Sequence, residues 1–164
     1  MFGTASLSTK LIRIGASLLV VALASISLTL WVTWQLEGGA AAVNEAGRMR
    51  MQTWRLASAV QTGLDPVELG SLVNQFDESL RLLRAGDPMR PLFVPWDETV
   101  DLRFELVDRI WAERRSQWLA VPPMGAAESA RAAEEFVKAI DGLVLAIEHQ
   151  LSRLTAILNL FQFV

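Results

Sequence analysis

Ile14-Gly15-Ala16-Ser17-Leu18-Leu19-Val20-Val21-Ala22-Leu23-Ala24-Ser25-Ile26-Ser27-Leu28-Thr29-Leu30-Trp31-Val32-Thr33-Trp34-Gln35-Leu36 contains no Asp, Glu, Lys or Arg. About 20 such residues cross a bilayer as a helix. A cleaved signal peptide has an apolar region of only about 7–15 residues, so a retained membrane helix is the reading of this stretch, although Gly39-Ala40-Ala41-Ala42 could otherwise serve as a cleavage site. Lys10 and Arg13 precede the run and no acidic residue appears before Glu37. Positive flanks stay in the cytoplasm, so residues 1–13 are expected inside and everything after Leu36 outside.

All eighteen acidic residues fall on that outer side, and the chain carries a net charge of -3. That balance offers no nucleic-acid surface. One domain fits in 164 residues. The absence of cysteine is compatible with an oxidising compartment. At the other end, Leu154-Thr155-Ala156-Ile157-Leu158-Asn159-Leu160-Phe161-Gln162-Phe163-Val164 is uncharged but only half a span long. It is expected to begin a second membrane helix, truncated here. The organisation is then 1–13 cytoplasmic, 14–36 transmembrane, 37–153 an outer sensor domain and 154–164 the start of a second span.

Between the spans the pattern is helical throughout, with no apolar–polar alternation bounded by turns. The first helix is expected to continue out of the membrane to about Thr62, despite Gly38-Gly39, since glycine pairs there permit close packing. Asp65-Pro66-Val67-Glu68 starts a second helix with a capping acid, proline at the first position and a glutamate three residues after the cap. It should end at Ala85, before Gly86-Asp87-Pro88, and bury Leu69, Leu72, Val73, Phe76, Leu80 and Leu83. The proline-rich stretch 87–96 cannot be regular helix, and its Leu92, Phe93, Val94 and Trp96 imply a loop packed on the bundle. Asp97 caps a third helix to about Ala120, buried through Val100, Phe104, Val107, Ile110, Trp111 and Trp118. The fourth runs from about Ala126 through Phe136, Ile140, Leu143, Val144, Ile147 and Leu151. The fold class is all-α: a membrane-anchored antiparallel four-helix bundle, up-down-up-down.

The run Asn44-Glu45-Ala46-Gly47-Arg48-Met49-Arg50-Met51-Gln52-Thr53-Trp54-Arg55 raises a question of chemistry. Advancing about 100° per residue, Gly39, Val43, Ala46, Gly47, Thr53, Trp54 and Ala57 fall within roughly 60° of Arg50, while Glu45, Arg48 and Arg55 fall on the far side. Trp54 apart, this strip is made of short side chains, which lets two helix backbones approach. The expected dimer interface is Val43, Ala46, Gly47, Arg50, Thr53, Trp54 and Ala57. Paired about a twofold axis, two Arg50 side chains would converge with no partner in either chain. At about 7 Å they repel by about 2 kcal/mol at an effective dielectric near 20. A small planar oxyanion between them relieves this and suits the guanidinium fork, with Gly47 leaving room. The plainer alternative for such an arginine is a solvated or carboxylate-paired side chain.

Asn44-x-Ala46-Gly47-x-x-Arg50-Met51-Gln52-Thr53-Trp54-Arg55-Leu56 resembles the P-box of nitrate/nitrite sensor histidine kinases of the NarX and NarQ type, which likewise follows the first membrane helix. Phe136-Val137-Lys138-Ala139-Ile140-Asp141-Gly142-Leu143-Val144 and the loop from Gly86 to Asp97 are similar to relatives as well. The resemblance implies a periplasmic four-helix sensor of a two-component system in the bacterial inner membrane. It would dimerise through its first helices and bind nitrate, and more weakly nitrite, between two copies of Arg50, with Gly47 as the matching glycine. The cytoplasmic kinase region of that family is absent from these 164 residues. Trp54 stands where the family has tyrosine, Arg48-Met49 replace smaller or uncharged residues, and Glu45 puts an acid about 1.5 turns away.

A second reading is the same kind of module in a chemoreceptor or pilus-associated receptor with another ligand; a third is a ligand-free bundle that only dimerises. No nucleophile–base pair or phosphate-cradling loop supports an enzyme. No cofactor is implied, and one histidine (His149, read as solvated) without cysteine makes a transition-metal site improbable. Asp97, Asp101, Glu105 and Asp108 share a helix face and read as solvated acids pairing with Arg109 and neighbouring arginines. Membrane lipid is the remaining expected partner, with Trp31 and Trp34 as an interfacial belt.

Overall fold

In the computed structural model, which describes residues 7–87 and 89–162 (backbone only at 158 and 160–162), the first element is a helix of 56 residues, α1 (Leu7–Thr62). Three more follow: α2 (Pro66–Ala85), α3 (Glu98–Trp118) and α4 (Ala126–Gln162). The chain divides into a unit ending at Trp34 and a second unit from Gln35 onward. In the first, Leu18, Leu19, Val20, Val21 and Ile26 are all exposed. A helix apolar on every side with nothing covering it is a membrane helix by composition, and α1 is the one described helix long and apolar enough to cross a bilayer. The expected second span is not testable in this way, since Phe163 and Val164 lie outside the described residues, as do the first six residues and Pro88.

The second unit is a bundle whose register can be read from its polar contacts. Gln61 of α1 reaches Ser129 near the start of α4, and Arg50 reaches Asp141, so α1 and α4 run antiparallel. Arg115 pairs with Asp77, and Arg84 with Glu105, which sets α2 against α3. Arg114 pairs with Glu135, which sets α3 against α4. Gln52 of α1 donates to Ser79 of α2. The helices therefore alternate in direction along the chain. Arg84 also lies 3.8 Å from Asp101, so the acids of α3 find their cation across the bundle, on α2, instead of at Arg109. No metal-binding group of acids occurs among the described residues.

Local signals explain the helix ends. The Asp65 side chain accepts from the Val67 amide and the Asp97 side chain from the Val100 amide. Gly86 stops α2 with φ 78, a conformation that disfavours any side chain. The expected inward residues of α2 and α3 are buried, except that Leu69 and Ile110 are only partly so. Phe76, Trp111 and Phe136 of three helices stack at the centre, Phe76 and Trp111 with centroids 4.1 Å apart. α3 ends at Trp118, two residues before the expected boundary, within ordinary uncertainty at a helix end.

Gly38 and Gly39 are docking points. The Phe93 ring of the 86–97 loop occupies the space that a Cβ at Gly38 would need, and Leu151 of α4 does the same at Gly39. Leu92 and Val94 of that loop are buried, and the Phe93 amide donates to the Gly38 carbonyl at 3.4 Å. At Gly70 of α2, in contrast, a Cβ meets nothing within 4 Å.

Asp77 joins α2 to α3. It accepts from Trp111 Nε1 at 2.7 Å and from Arg115 at 2.8 and 3.1 Å. Burial pushes its carboxyl up, but the Arg115 and Trp111 hydrogen bonds and the Arg115 charge outweigh that and hold it below the usual carboxylate range.

Two tests follow in urea titrations of the full chain in detergent. Gly38→Ala should destabilise by about 1–3 kcal/mol, because the forced overlap with Phe93 exceeds the roughly 1 kcal/mol that alanine gains in a helix; Gly70→Ala should stabilise by up to about 1 kcal/mol. A group with a depressed pKa adds stability above its unfolded value, near 4 for aspartate, and loses it as pH falls through the folded value. Asp77→Asn should therefore melt a few degrees below the parent at pH 7, with the gap closing below about pH 4; a gap unchanged at acid pH contradicts this.

Candidate functional site

With Arg50 set at zero and about 100° per residue, α1 divides into two halves. Gly39, Ala46 and Ala57, at roughly −20 to −40°, are buried, as is Thr53 near −60°. Further round on that side, Ala42, Met49, Leu56 and Val60 form part of the core. Gly47, Met51, Trp54 and Ser58, at roughly +40 to +100°, turn outward, and Met51 and Trp54 are 55% and 47% exposed. Arg50 lies on the border.

The strip available to a second copy is thus narrower than the sequence suggests. Of the expected interface residues, Ala46, Thr53 and Ala57 pack inside their own bundle and Val43 is partly buried against it. Their small size serves close packing of α1 on its own neighbours. Gly47, Arg50 and Trp54 remain open, joined by Met51, which the strip analysis omitted because it stands about 100° from Arg50.

Arg50 does have a partner in its own chain. Its Nη1 donates to Asp141 Oδ1 of α4 at 3.0 Å, with the two side chains 46% and 44% exposed. This corrects the expectation that the arginine is unpaired in one chain. Asp141 falls within the second family-like run, but only the α1–α4 register brings it opposite Arg50. Exposed pairs of this kind contribute about 0–1 kcal/mol. A guanidinium has five N–H donors, and Nη1 is the one engaged among the described residues. Nη2 leans back over Gly47, where a Cβ would stand 3.4 Å from it. The result is a cation at the edge of an exposed face, held by one exchangeable bond, with most of its donors open.

Glu45 behaves in the opposite way. Expected on a far, solvated face, it is 1% exposed. Its position near −140° points it between α1 and α2. Ser79 Oγ donates to its Oε1 at 2.8 Å, Arg90 of the 86–97 loop reaches Oε2 at 3.3 Å, and Arg48 stands 3.6 Å away as an intrahelical partner. Gln52 Nε2 donates in turn to Ser79 Oγ. Arg90 also binds Asp87, whose carboxyl is held below the usual range by the Met89 amide and the Arg90 side chain. A cavity of about 650 Å³ opens beside this network, lined by Glu45, Gln52 and Ser79 but not by Arg50. Its most polar groups are already committed to each other, so the Arg50 face is the better candidate for an anion.

The bundle is similar to a solved structure, the ligand-binding domain of the nitrate receptor McpN of P. aeruginosa, with TM-score 0.57 and 21% sequence identity over 67% of this chain and 95% of that one. At that identity the likeness establishes the fold. No curated protein matches the chain in sequence. Residues 31–155 match the family model described as type IV pili methyl-accepting chemotaxis transducer N-term (PilJ). The resemblance to sensor histidine kinases is corrected by this match: a helical sensor module is common ground, and a chemotaxis transducer, not a kinase, is the class supported. The same match speaks for a sensor region and against a catalytic one. The matched segment spans well over half of the sequence, and the chain belongs to the family of N-terminal regions of type IV pili methyl-accepting chemotaxis transducers.

Proposed function

We propose that this chain is the membrane-anchored, periplasmic sensor region of a chemotaxis transducer, which binds nitrate, and more weakly nitrite, between the Arg50 side chains of two copies. The observation that carries the proposal is Arg50 itself: half exposed, bordering the uncovered Met51 and Trp54, and bonded to one exposed carboxylate. The likeness in fold to a nitrate receptor supports the choice of anion, and the positive flank at Lys10 and Arg13 supports the periplasmic side.

The chemistry is an exchange. Two copies meet along Gly47, Met51 and Trp54, and their Arg50 side chains converge on the axis. A planar oxyanion there accepts charge-assisted hydrogen bonds from both forks. To aim at the axis each arginine leaves Asp141, so ligand binding releases a contact between α1 and α4. The ligand shifts the bundle by the difference in its affinity for the paired and released states, and the helices slide between two packings. α4 then carries the change into a second span begun by residues 154–164. A sensor histidine kinase is the second reading, favoured by the P-box-like run 44–56; the sequence that follows α4 in the whole protein separates the two.

Calorimetry on the full chain in nanodiscs should give one nitrate per two chains, and Arg50→Ala should abolish the heat. Binding that survives this change, or one nitrate per chain, rejects the site. Asp141→Asn removes the competing carboxylate and should tighten nitrate binding by up to about fivefold, the equivalent of the roughly 1 kcal/mol an exposed pair supplies; weaker binding would mean that Asp141 positions the arginine instead of competing for it.

A further inference from the structure

A second cationic site lies between α3 and α4, away from Arg50. A cavity of about 300 Å³ there is lined by Arg103 of α3 and by His149, Gln150 and Arg153 of α4, with Asp97 at its edge. That is about ten waters' worth of space. Most arginines outside the membrane-spanning stretch are paired with carboxylates. Among the described residues, Arg103 and Arg153 have no ion pair and no hydrogen bond, yet both line this cavity. The Arg103 side chain crosses Gly142 on α4, where a Cβ would stand 3.6 Å from its Cδ and Nη1; the glycine leaves the arm space to lie along the helix. Asp97 does not neutralise the pair fully, because its Oδ1 is engaged by the Val100 amide as the cap of α3.

Gln150 supplies the second requirement. Its Oε1 is buried with no hydrogen-bond partner, and a buried acceptor left in that state costs about 1–3 kcal/mol. An occupant of this cavity must therefore offer acceptor oxygens to two guanidiniums and one O–H to Gln150. Nitrate has no O–H. A hydrogen phosphate has one, and so does a phosphodiester bearing a polyol.

We infer that the Arg103–His149–Arg153 cavity binds a phosphate-bearing anion, with the arginines holding the phosphate oxygens and Gln150 Oε1 accepting a hydroxyl hydrogen. Two sources offer this chemistry: free inorganic phosphate, or the headgroup of an anionic lipid. The headgroup source rests on the reading of residues 154–164 as the start of a membrane span, since Arg153 immediately precedes them. The free-phosphate source does not.

The test uses the full chain in nanodiscs and the double variant Arg103→Gln/Arg153→Gln. In phosphatidylcholine discs, inorganic phosphate is titrated calorimetrically; separately, the thermal midpoint is compared between phosphatidylcholine and phosphatidylglycerol discs without phosphate. Saturable phosphate binding at one per chain, weakened at least tenfold in the variant, supports the free-phosphate source. A midpoint raised by a few degrees in phosphatidylglycerol, lost in the variant but kept in Arg109→Gln, supports the lipid source. No response in either arm, or a response that the variant retains, overturns the inference. The variant should still bind nitrate through Arg50, which reports that it is folded and keeps this test separate from that of the nitrate site.

Discussion

Helix α1 meets α4 at three heights, and each contact rests on different physics. Near one end, Leu151 fills the space over Gly39, so closely that no side chain can stand there. Near the other, the Gln61 amide makes long, neutral bonds of 3.4 and 3.5 Å to the Ala126 carbonyl and to Ser129. Between them Arg50 pairs with Asp141 in solvent. The steric contact cannot be exchanged without moving a backbone, and the amide bonds offer little to a ligand. The middle pair can be exchanged at small cost for any anion that presents better-placed oxygens. A receptor that must respond to a small anion needs such an element, stable enough to define one state and weak enough to yield.

The handling of charge along α1 follows the same division. Glu45 and Arg50 stand five residues apart on the same helix, but the first is sealed between α1 and α2 with Ser79, Arg48 and Arg90 around it, and the second is left at the rim. Removing one partner from a buried ionic group is strongly destabilising, so the Glu45 cluster ties the 86–97 loop to α1 and gives the Arg50 face a firm base. Phe93 over Gly38 adds a second tie from the same loop.

The fold was legible because its signals are local or periodic. A charge-free run of 23 residues, two capping aspartates, a proline at a first helical position and 3.6-residue stripes locate every helix to within two residues. The 86–97 loop was readable as packed from its apolar residues. The rotation of α1 was not. Small residues appear on both the bundle-facing and the outer side of this helix, and a strip centred on Arg50 straddles the boundary between them. Asp141 and Glu45 were misjudged for a related reason: their partners are 91 and 34 residues away in sequence, and periodicity on one helix carries no information about register against another. The cavity at Arg103 and Arg153 was equally invisible, since neither arginine belongs to a motif.

The central claim is that an anion draws two Arg50 side chains together across an axis between copies. The chain has no cysteine, so Ser58→Cys, on the outer side of α1 two turns beyond Arg50, gives one spin label per protomer. Dipolar spectroscopy on the full chain in nanodiscs should show a single short distance between labels that appears or sharpens with nitrate and is lost in the Arg50→Ala background. Labels with no coupling between copies, or a distance indifferent to nitrate, would contradict the account.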